Sequence, residues 1–129
     1  MKKDINQSLY DTLFRMYQEH GSVYALNPPQ DEPYPFIHLG MIQIIPRVTK
    51  SHWMAIAEVT VDVWGDSTDR GMVSSLANQI VGSSHQLRTL ETGHDVWLNP
   101  QTSTIEILVD QSTAKDLWRA IVRLQFEVN

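Results

Sequence analysis

The strongest pattern along the chain is an alternation of apolar and polar residues between positions 53 and 64. A period of two places alternate side chains on one face of a β-strand. The preceding residues 36–45 are mostly apolar and are joined to this segment by "PRVTKSH". We therefore predict a β-hairpin with a basic tip. The face predicted to be buried carries Trp53, Ala55, Ala57, Val59, Val61 and Val63.

The C-terminal part of the chain also has the pattern of strands. Residues 95–109, "DVWLNPQTSTIEILV", contain two apolar runs separated by an Asn-Pro turn, which we interpret as an additional hairpin. The following segment predicts a last strand. Its buried face would comprise Trp118, Ala120, Val122, Leu124, Phe126 and Val128.

Two other segments show helical spacing. Asp4 is followed three residues later by Gln7, which predicts a capping box at the start of a first helix that ends near Gly21. The apolar stripe of this helix comprises Ile5, Leu9, Leu13, Met16 and Tyr17. A second helix is predicted over residues 69–82, and it would bury Val73, Leu76, Ala77 and Ile80.

These elements predict an α+β fold in the order α-β-β-α-β-β-β. Its mainly antiparallel sheet would have four to five strands, with both helices packed on one face. Residues 25–35 contain four of the six prolines and are expected to form an irregular connection. A chain of 129 residues suits one hydrophobic core, so we predict a single domain over residues 1–129.

The opposite face of the central predicted strand has a mixed character. It carries Met54, Ile56, Glu58, Thr60, Asp62 and Trp64. Such a face is too apolar for a fully solvated surface and too acidic for a core. Partial cover by loops and burial against another subunit are both open explanations. Glu58 and Asp62 are expected to pair with Arg119 or Arg123 across the sheet, or to face water.

Composition narrows the possible partners. A net charge of −5 and a pI near 5.4 disfavour nucleic-acid binding through a broad basic surface. The sequence has no cysteine, which excludes disulfides and thiolate metal sites. The start "MKKDINQSL" lacks the apolar region of a secretory signal, and no apolar run is long enough to cross a bilayer. We expect a protein that is made and kept in a cytoplasm, without a membrane partner.

The stretch "GDSTDRG", residues 65–71, raises the question of a ligand-binding loop. It lacks the Gly-Lys-Ser/Thr ending of a P-loop, and its acids would repel a phosphate. We predict instead that Ser67, Thr68 or Asp69 caps the second helix. The histidines lack metal-ligand spacing and the serines lack a nucleophile elbow. The sequence therefore predicts no catalytic, metal or cofactor site.

Two stretches, "PYPFIHLG" and "VTVDVWGDSTDRGMVSSLANQIVGS", combine an aromatic start, a strand that ends in Val-Trp, a polar turn and a helix. In this they resemble the phage tail-completion family, also called tail terminator or tail-to-head joining proteins. A looser similarity extends from Ile5 to Val128, whereas residues 91–116 depart from the family pattern and leave the pairing of the last three strands open. The matching residues are Tyr34, Pro35, Phe36, Ile37, Gly40, Val61, Asp62, Val63, Trp64, Gly71, Leu76, Ala77 and Ile80.

The resemblance implies a non-enzymatic virion protein of a long-tailed phage or prophage, without a cofactor. A ring of about six copies would cap the tail tube, end its growth and join it to the head, while DNA passes through the lumen without specific binding. The implied partners are other copies of the chain, the tail tube protein and the head connector proteins. The implied location is the virion tail, assembled in the host cytoplasm.

For such a ring we predict two sets of residues. A subunit or partner interface is predicted at Tyr34, Phe36, Arg47, Lys50, His52 and Trp64. Acids facing the lumen are predicted at Glu58, Asp62 and Glu127. A solvated turn is the alternative for the basic residues at the hairpin tip.

Two other functional classes are open on the residues alone. An enzyme or ligand-binding domain would use the mixed sheet face as the floor of a pocket, with His38, Asp62 and Trp64 convergent. An adaptor would capture an extended partner segment on a free edge of the sheet.

Overall fold

The alternating segments form strands and the segments with helical spacing form helices, in the predicted order apart from one short added strand. The computed structural model describes residues 3–129. Its helices are α1 (Ile5–Tyr17) and α2 (Arg70–Ser84). Its strands are β1 (Val23–Tyr24), β2 (Phe36–Val48), β3 (Trp53–Gly65), β4 (Val96–Leu98), β5 (Thr104–Asp110) and β6 (Leu117–Val128).

The six strands form one sheet in the order β1-β2-β3-β6-β4, and β5 also pairs with β6. Every pairing is antiparallel except that of β1 with β2. The prediction of a mainly antiparallel α+β fold is confirmed. The sheet has six strands rather than four to five because β1 is only two residues long, which is too short to show alternation.

β4 and β5 do not form the hairpin that the Asn-Pro turn suggested. β4 pairs with residues 126–128 and β5 with residues 117–123, so both lie along the same edge of β6. The loop between them stays attached to this edge because the Asn99 amide donates to the Gln125 carbonyl at 2.8 Å. The Gln125 amide in turn donates to Ser103 Oγ at 3.3 Å.

Both helices pack on the sheet face that carries the small and β-branched residues of β3. The core is continuous between the helices and the sheet. Its fully buried members include Leu9, Leu13 and Tyr17 from α1, Val73, Ala77 and Ile80 from α2, and Val61, Val63, Val122 and Phe126 from the sheet. Inside this core the hydroxyls of Tyr17 and Ser84 are 2.7 Å apart and link the two helices. Burial raises the pKa of the Tyr17 hydroxyl, which therefore stays protonated.

Trp53 is an exception to the predicted buried face. It is 37% exposed because it lies beyond the last residue pair of β3 and β6, which joins Ala55 to Val128. Its ring instead lies 5.3 Å from the ring of His94. Alternation therefore predicts the direction of the side chain correctly, but burial ends where the neighbouring strand ends.

α1 begins as predicted and ends earlier. The Gln7 amide donates to Asp4 Oδ1 at 2.8 Å, which is one half of the predicted capping box. The Gln7 side chain makes no reciprocal bond, since it donates to Asp11 instead. The helix ends at Tyr17, before the predicted end near Gly21.

Asp66 organises the turn between β3 and α2. Its Oδ1 accepts hydrogen bonds from the amide and hydroxyl of Thr68, at 2.9 and 2.8 Å, and these bonds lower the pKa of Asp66. The Asp66 amide donates to Asp69 Oδ2 at 3.0 Å. Asp69 occupies the N-cap position of α2, as predicted, but its side chain makes no capping bond because its carboxylate accepts from the Asp66 amide within the turn. The acids of this stretch thus have structural partners.

Gly65 lies where β3 approaches α2 most closely. A Cβ atom at this position would contact Val73 Cγ2 and would lie 2.8 Å from Asp69 Cβ. Both neighbours belong to the packed junction of strand, turn and helix. The site therefore has no room for a methyl group.

We expect Gly65→Ala to lower the free energy of unfolding by about 1–3 kcal/mol, because the added methyl group overpacks this junction. Urea denaturation followed by tryptophan fluorescence measures the change. Gly82→Ala is the matched control, since a Cβ there has no neighbour within 4 Å. Alanine should stabilise α2 at that position by about 0.5–1 kcal/mol. An equal change in the free energy of unfolding at both positions would show that the close approach of β3 and α2 does not restrict the side chain at residue 65.

Candidate functional site

The sheet face that points away from the helices, here called the open face, is the candidate site. It carries the alternate residues of β3 from Met54 to Trp64. The strand register places residues of the two neighbouring strands on the same face, with His38 opposite Asp62 and Arg119 opposite Trp64. The open face is therefore built by the same alternation that fills the core.

A buried carboxylate lies near one end of the open face. Asp62 is only 6% exposed. Arg119 Nε donates to Asp62 Oδ1 at 3.1 Å, and His38 Nδ1 lies 3.5 Å from Asp62 Oδ2. The predicted pairing of Asp62 with Arg119 is confirmed. Burial of a carboxylate requires such partners because the ion loses its hydration.

Arg119 connects this carboxylate to a second one. Its Nη1 lies 3.5 Å from Asp110 Oδ2. Hydrogen bonds from the Ser112 side chain and amide, together with the charge of Arg119, lower the pKa of Asp110. Asp110 is therefore ionised at neutral pH. With histidine counted as neutral, one guanidinium is shared by two carboxylates, and the cluster has an excess negative charge.

Aromatic side chains surround this cluster. The Tyr34 and Phe36 rings are stacked with their centroids 5.5 Å apart. The Arg119 guanidinium lies 4.9 Å from the centroid of the Trp64 ring, within the range of a cation–π interaction. Trp64 and Phe36 are cross-strand neighbours on β3 and β2.

These groups line a pocket of about 300 Å³, here called the aromatic pocket. The connection before β2 and the loop before β6 form its rim, and the open face forms its floor. The residues that line it are Asn27, Pro28, Tyr34, Phe36, His38, Asp62, Trp64, Thr113, Leu117 and Arg119. It therefore combines an apolar wall with buried charge.

The tip of the β2–β3 hairpin lies at the other end of β3. Arg47, Lys50 and His52 are all exposed there. The turn is closed by the Thr49 amide, which donates to the His52 carbonyl at 2.9 Å. Within residues 3–129, neither Arg47 nor Lys50 has an ion-pair partner. We call residues 47–52 the basic tip.

The structure brings the predicted interface residues together in two groups. Tyr34, Phe36 and Trp64 line the aromatic pocket. Arg47, Lys50 and His52 form the basic tip. The two groups are separated by the length of β3, so the six residues do not form one continuous patch. Their role as an interface stays a prediction.

The acids predicted to face a lumen differ in exposure. Glu58 is exposed and Glu127 is half-buried, both on the open face, whereas Asp62 is buried against Arg119. Arg123 pairs with Glu106 across an exposed 3.9 Å contact. The prediction that Glu58, Asp62 and Glu127 face a lumen stays a prediction. Of the three side chains, that of Glu58 is the most accessible to a partner and that of Asp62 the least.

Sequence reasoning missed Asp110, Leu117 and Thr113 as parts of this site. The alternation of β6 indicates that Leu117 shares a face with Arg119. The contribution of Asp110 depends on the pairing of β5 with β6, which joins segments that the sequence did not align. Thr113 lies in the loop between these strands, for which the sequence offers no periodic signal.

The described part of the chain offers little support for metal chemistry. Within residues 3–129, no group of three or more His, Asp and Glu side chains could hold a metal ion. No helix in the same range is long and apolar enough to cross a membrane.

Comparisons with known proteins identify a family for the chain and a shared fold. The model of the family described as "Tail completion protein gp17" matches residues 15–128. Among solved structures, a chain of the "Virion of native gene transfer agent (GTA) particle" superimposes with a TM-score of 0.65 and 14% sequence identity. The match covers 96% of this chain and 93% of that chain. At this identity it shows a shared fold. No curated protein matches the chain.

Arg119 and Arg123 allow a matched test of the buried cluster, because both lie on the open face of β6. We expect Arg119→Met to lower the free energy of unfolding by about 2–3 kcal/mol, since it leaves Asp62 buried without its guanidinium. Arg123→Met should cost less than about 1 kcal/mol, because its pair with Glu106 is exposed. Urea denaturation at neutral pH measures both changes. Equal losses would mean that Asp62 does not depend on Arg119.

Proposed function

Because the chain belongs to the tail completion protein family, we propose that copies of it form a ring on the end of a phage tail tube. The family match over residues 15–128 is the observation that carries this proposal, and membership gives the chain a structural role in a phage tail. The proposed ring ends the growth of the tube and forms the joint between tail and head. Its direct partners are further copies of the chain, the tail tube protein and the head connector proteins.

The two groups of predicted interface residues support a ring. A ring needs a heterologous contact, in which one surface of a copy meets a different surface of the next. The aromatic pocket and the basic tip are two such unlike surfaces at opposite ends of β3. We propose about six copies, the number that the family resemblance implies.

Exposed apolar side chains on the open face also favour assembly. Met41 is 58% exposed and lines a groove with Glu58 and Arg123, and Trp97, opposite Glu127, is 42% exposed. Apolar side chains interspersed with charged groups are typical of surfaces that become buried between proteins. We therefore assign the exposed apolar side chains of the open face, Met41 and Trp97 among them, to contacts with other copies or with the tube.

The charge of the chain suits a passage for DNA. A net charge of −5 disfavours binding of the phosphate backbone, so DNA would pass without being held. We propose that the exposed Glu58 and the half-buried Glu127 contribute to an acidic lumen. Asp62 contributes less to this field because it is buried beside Arg119. The protein would act in the virion tail, after assembly in the host cytoplasm.

The aromatic pocket supports a second candidate function. His38, Asp62 and Trp64 converge on it, as the ligand-binding hypothesis requires, and its volume of about 300 Å³ is at the small end for a ligand site. In this alternative the protein binds a small apolar molecule with one polar group. Three results together would favour this function. The protein would be a monomer, such a ligand would raise its thermal stability, and tail length would be the same with and without the protein.

Electron microscopy of tails assembled with and without the protein tests the proposed function. We expect a terminal ring and a uniform tube length only when the protein is present. Tails of uniform length that join heads normally in its absence would contradict the proposal. Antibody or tag labelling of the ring identifies the protein in the particle.

Single substitutions test the two ends of the open face. We expect Trp64→Asp and Arg47→Glu to leave a folded monomer but to prevent capping of tails or joining to heads. Trp64→Asp removes an aromatic wall of the pocket and its contact with Arg119, and Arg47→Glu reverses a charge of the tip. Met72→Asp is the control, since Met72 is 55% exposed but lies on α2, on the helical side of the sheet. Circular dichroism verifies the fold of each variant. Normal particles with both Trp64→Asp and Arg47→Glu would contradict these interface assignments.

A further inference from the structure

We propose that the aromatic pocket of one copy receives the basic tip of a neighbouring copy. This inference rests on the proposed ring and specifies which surfaces meet within it. It follows from the charge of the pocket, the charge of the tip, and the distance between them in a single copy.

The aromatic pocket has an excess of negative charge. Arg119 is shared by Asp62 and Asp110, so one guanidinium contacts two carboxylates. The connection that forms one rim, residues 25–35, contains two acids and no Lys or Arg. The low exposure of Asp62 and Asp110, with side chains 8% and 11% accessible, keeps this charge from being fully screened by solvent. A cation entering the pocket would be attracted by these carboxylates.

The basic tip has the complementary composition. No acidic residue occurs between Gln43 and Glu58, whereas Arg47 and Lys50 lie in the turn region. Between them Val48 is 65% exposed, which places an apolar side chain beside two cations. An apolar group flanked by positive charge matches an aromatic wall flanked by negative charge.

The two surfaces of one copy are too far apart to meet. Trp53 next to the tip and Trp64 at the pocket are at opposite ends of β3. Eleven residues of strand correspond to about 36 Å at about 3.3 Å per residue. β3 is hydrogen-bonded to β2 and β6 along most of this length, so it does not fold back. A tip that occupies a pocket must therefore come from another copy.

A second copy is the occupant that the two surfaces favour, since it supplies the complementary surface at the required stoichiometry. Each copy has one pocket and one tip, and the two are unlike. Their contact is heterologous, which leaves a free tip and a free pocket on any open chain of copies until the ring closes.

Cysteine cross-linking tests this contact directly, because the chain has no cysteine of its own. Ser51→Cys places a thiol on the basic tip and Thr113→Cys places one at the pocket, and both positions are exposed. Tails assembled with the Ser51→Cys/Thr113→Cys double variant are treated with a short bismaleimide and separated on a denaturing gel. We expect a ladder of covalent oligomers that ends at the number of copies in the ring.

A second pair of cysteines provides the matched control. Gln79→Cys is also exposed but lies on α2, on the helical side of the sheet, so Ser51→Cys/Gln79→Cys should give no ladder. Capped tails that contain the Ser51→Cys/Thr113→Cys protein but yield only monomer would overturn the inference and leave the proposed ring intact. Tails of normal length that lack the protein altogether would overturn the proposed function itself.

The contribution of charge is tested in the cross-linking background. Adding Arg47→Glu and Lys50→Glu to the Ser51→Cys/Thr113→Cys protein should reduce the cross-linked fraction several-fold, because the tip then repels the carboxylates at the pocket. Arg15→Glu in the same background is the control, since Arg15 lies on α1, on the helical side of the sheet. An unchanged ladder after reversal of the tip charge would overturn the electrostatic basis of the contact.

Discussion

The structure depends on the register of β3, the strand that is paired along its length with β2 on one side and β6 on the other. Its side chains alternate between a buried set of Ala and Val residues and an open-face set of mixed character that includes both of its acids. A shift of one residue would turn Val61 and Val63 to the open face and Asp62 into the core. The cost of burying a carboxylate among aliphatic side chains is large, so the hydrophobic pattern and the two acids of β3, Glu58 and Asp62, specify the same register.

The same register creates the candidate site. Because Asp62 must lie on the open face, its partners are the residues opposite it and diagonal to it, which are His38 on β2 and Arg119 on β6. Replacing such a buried ion pair by apolar residues is often neutral or stabilising, so stability alone does not explain its presence. A fixed charge beside aromatic rings instead gives one end of the sheet a chemical identity that differs from the other end. An assembly built from unlike surfaces requires this difference.

Much of the fold could be predicted from the sequence because its signals are local. The alternation of β3 and β6 and the helical stripes of α1 and α2 are visible in consecutive residues, and together they place the core correctly. β1 could not be predicted because two residues carry no periodicity. The placement of β4 and β5 on one edge of β6 depends on hydrogen bonds between Asn99, Ser103 and Gln125, which are remote in sequence. Asp110 was missed for the same reason, whereas the pair of Asp62 with Arg119 was found because it requires only the face of each strand.

In the proposed ring, copies would stay dispersed until they close on the tube, which requires contacts that are specific but individually weak. Contacts between an exposed basic tip and a partly buried acidic cluster have this property, since surface charges contribute modestly to affinity and are screened by salt. Neighbouring contacts in a closed ring reinforce one another, because copies held on the tube meet at a high effective concentration. Charge complementarity also opposes the wrong arrangement, in which tip meets tip or pocket meets pocket. The separation of the two charges to opposite ends of β3 would thus favour head-to-tail closure of the proposed ring over symmetric dimers.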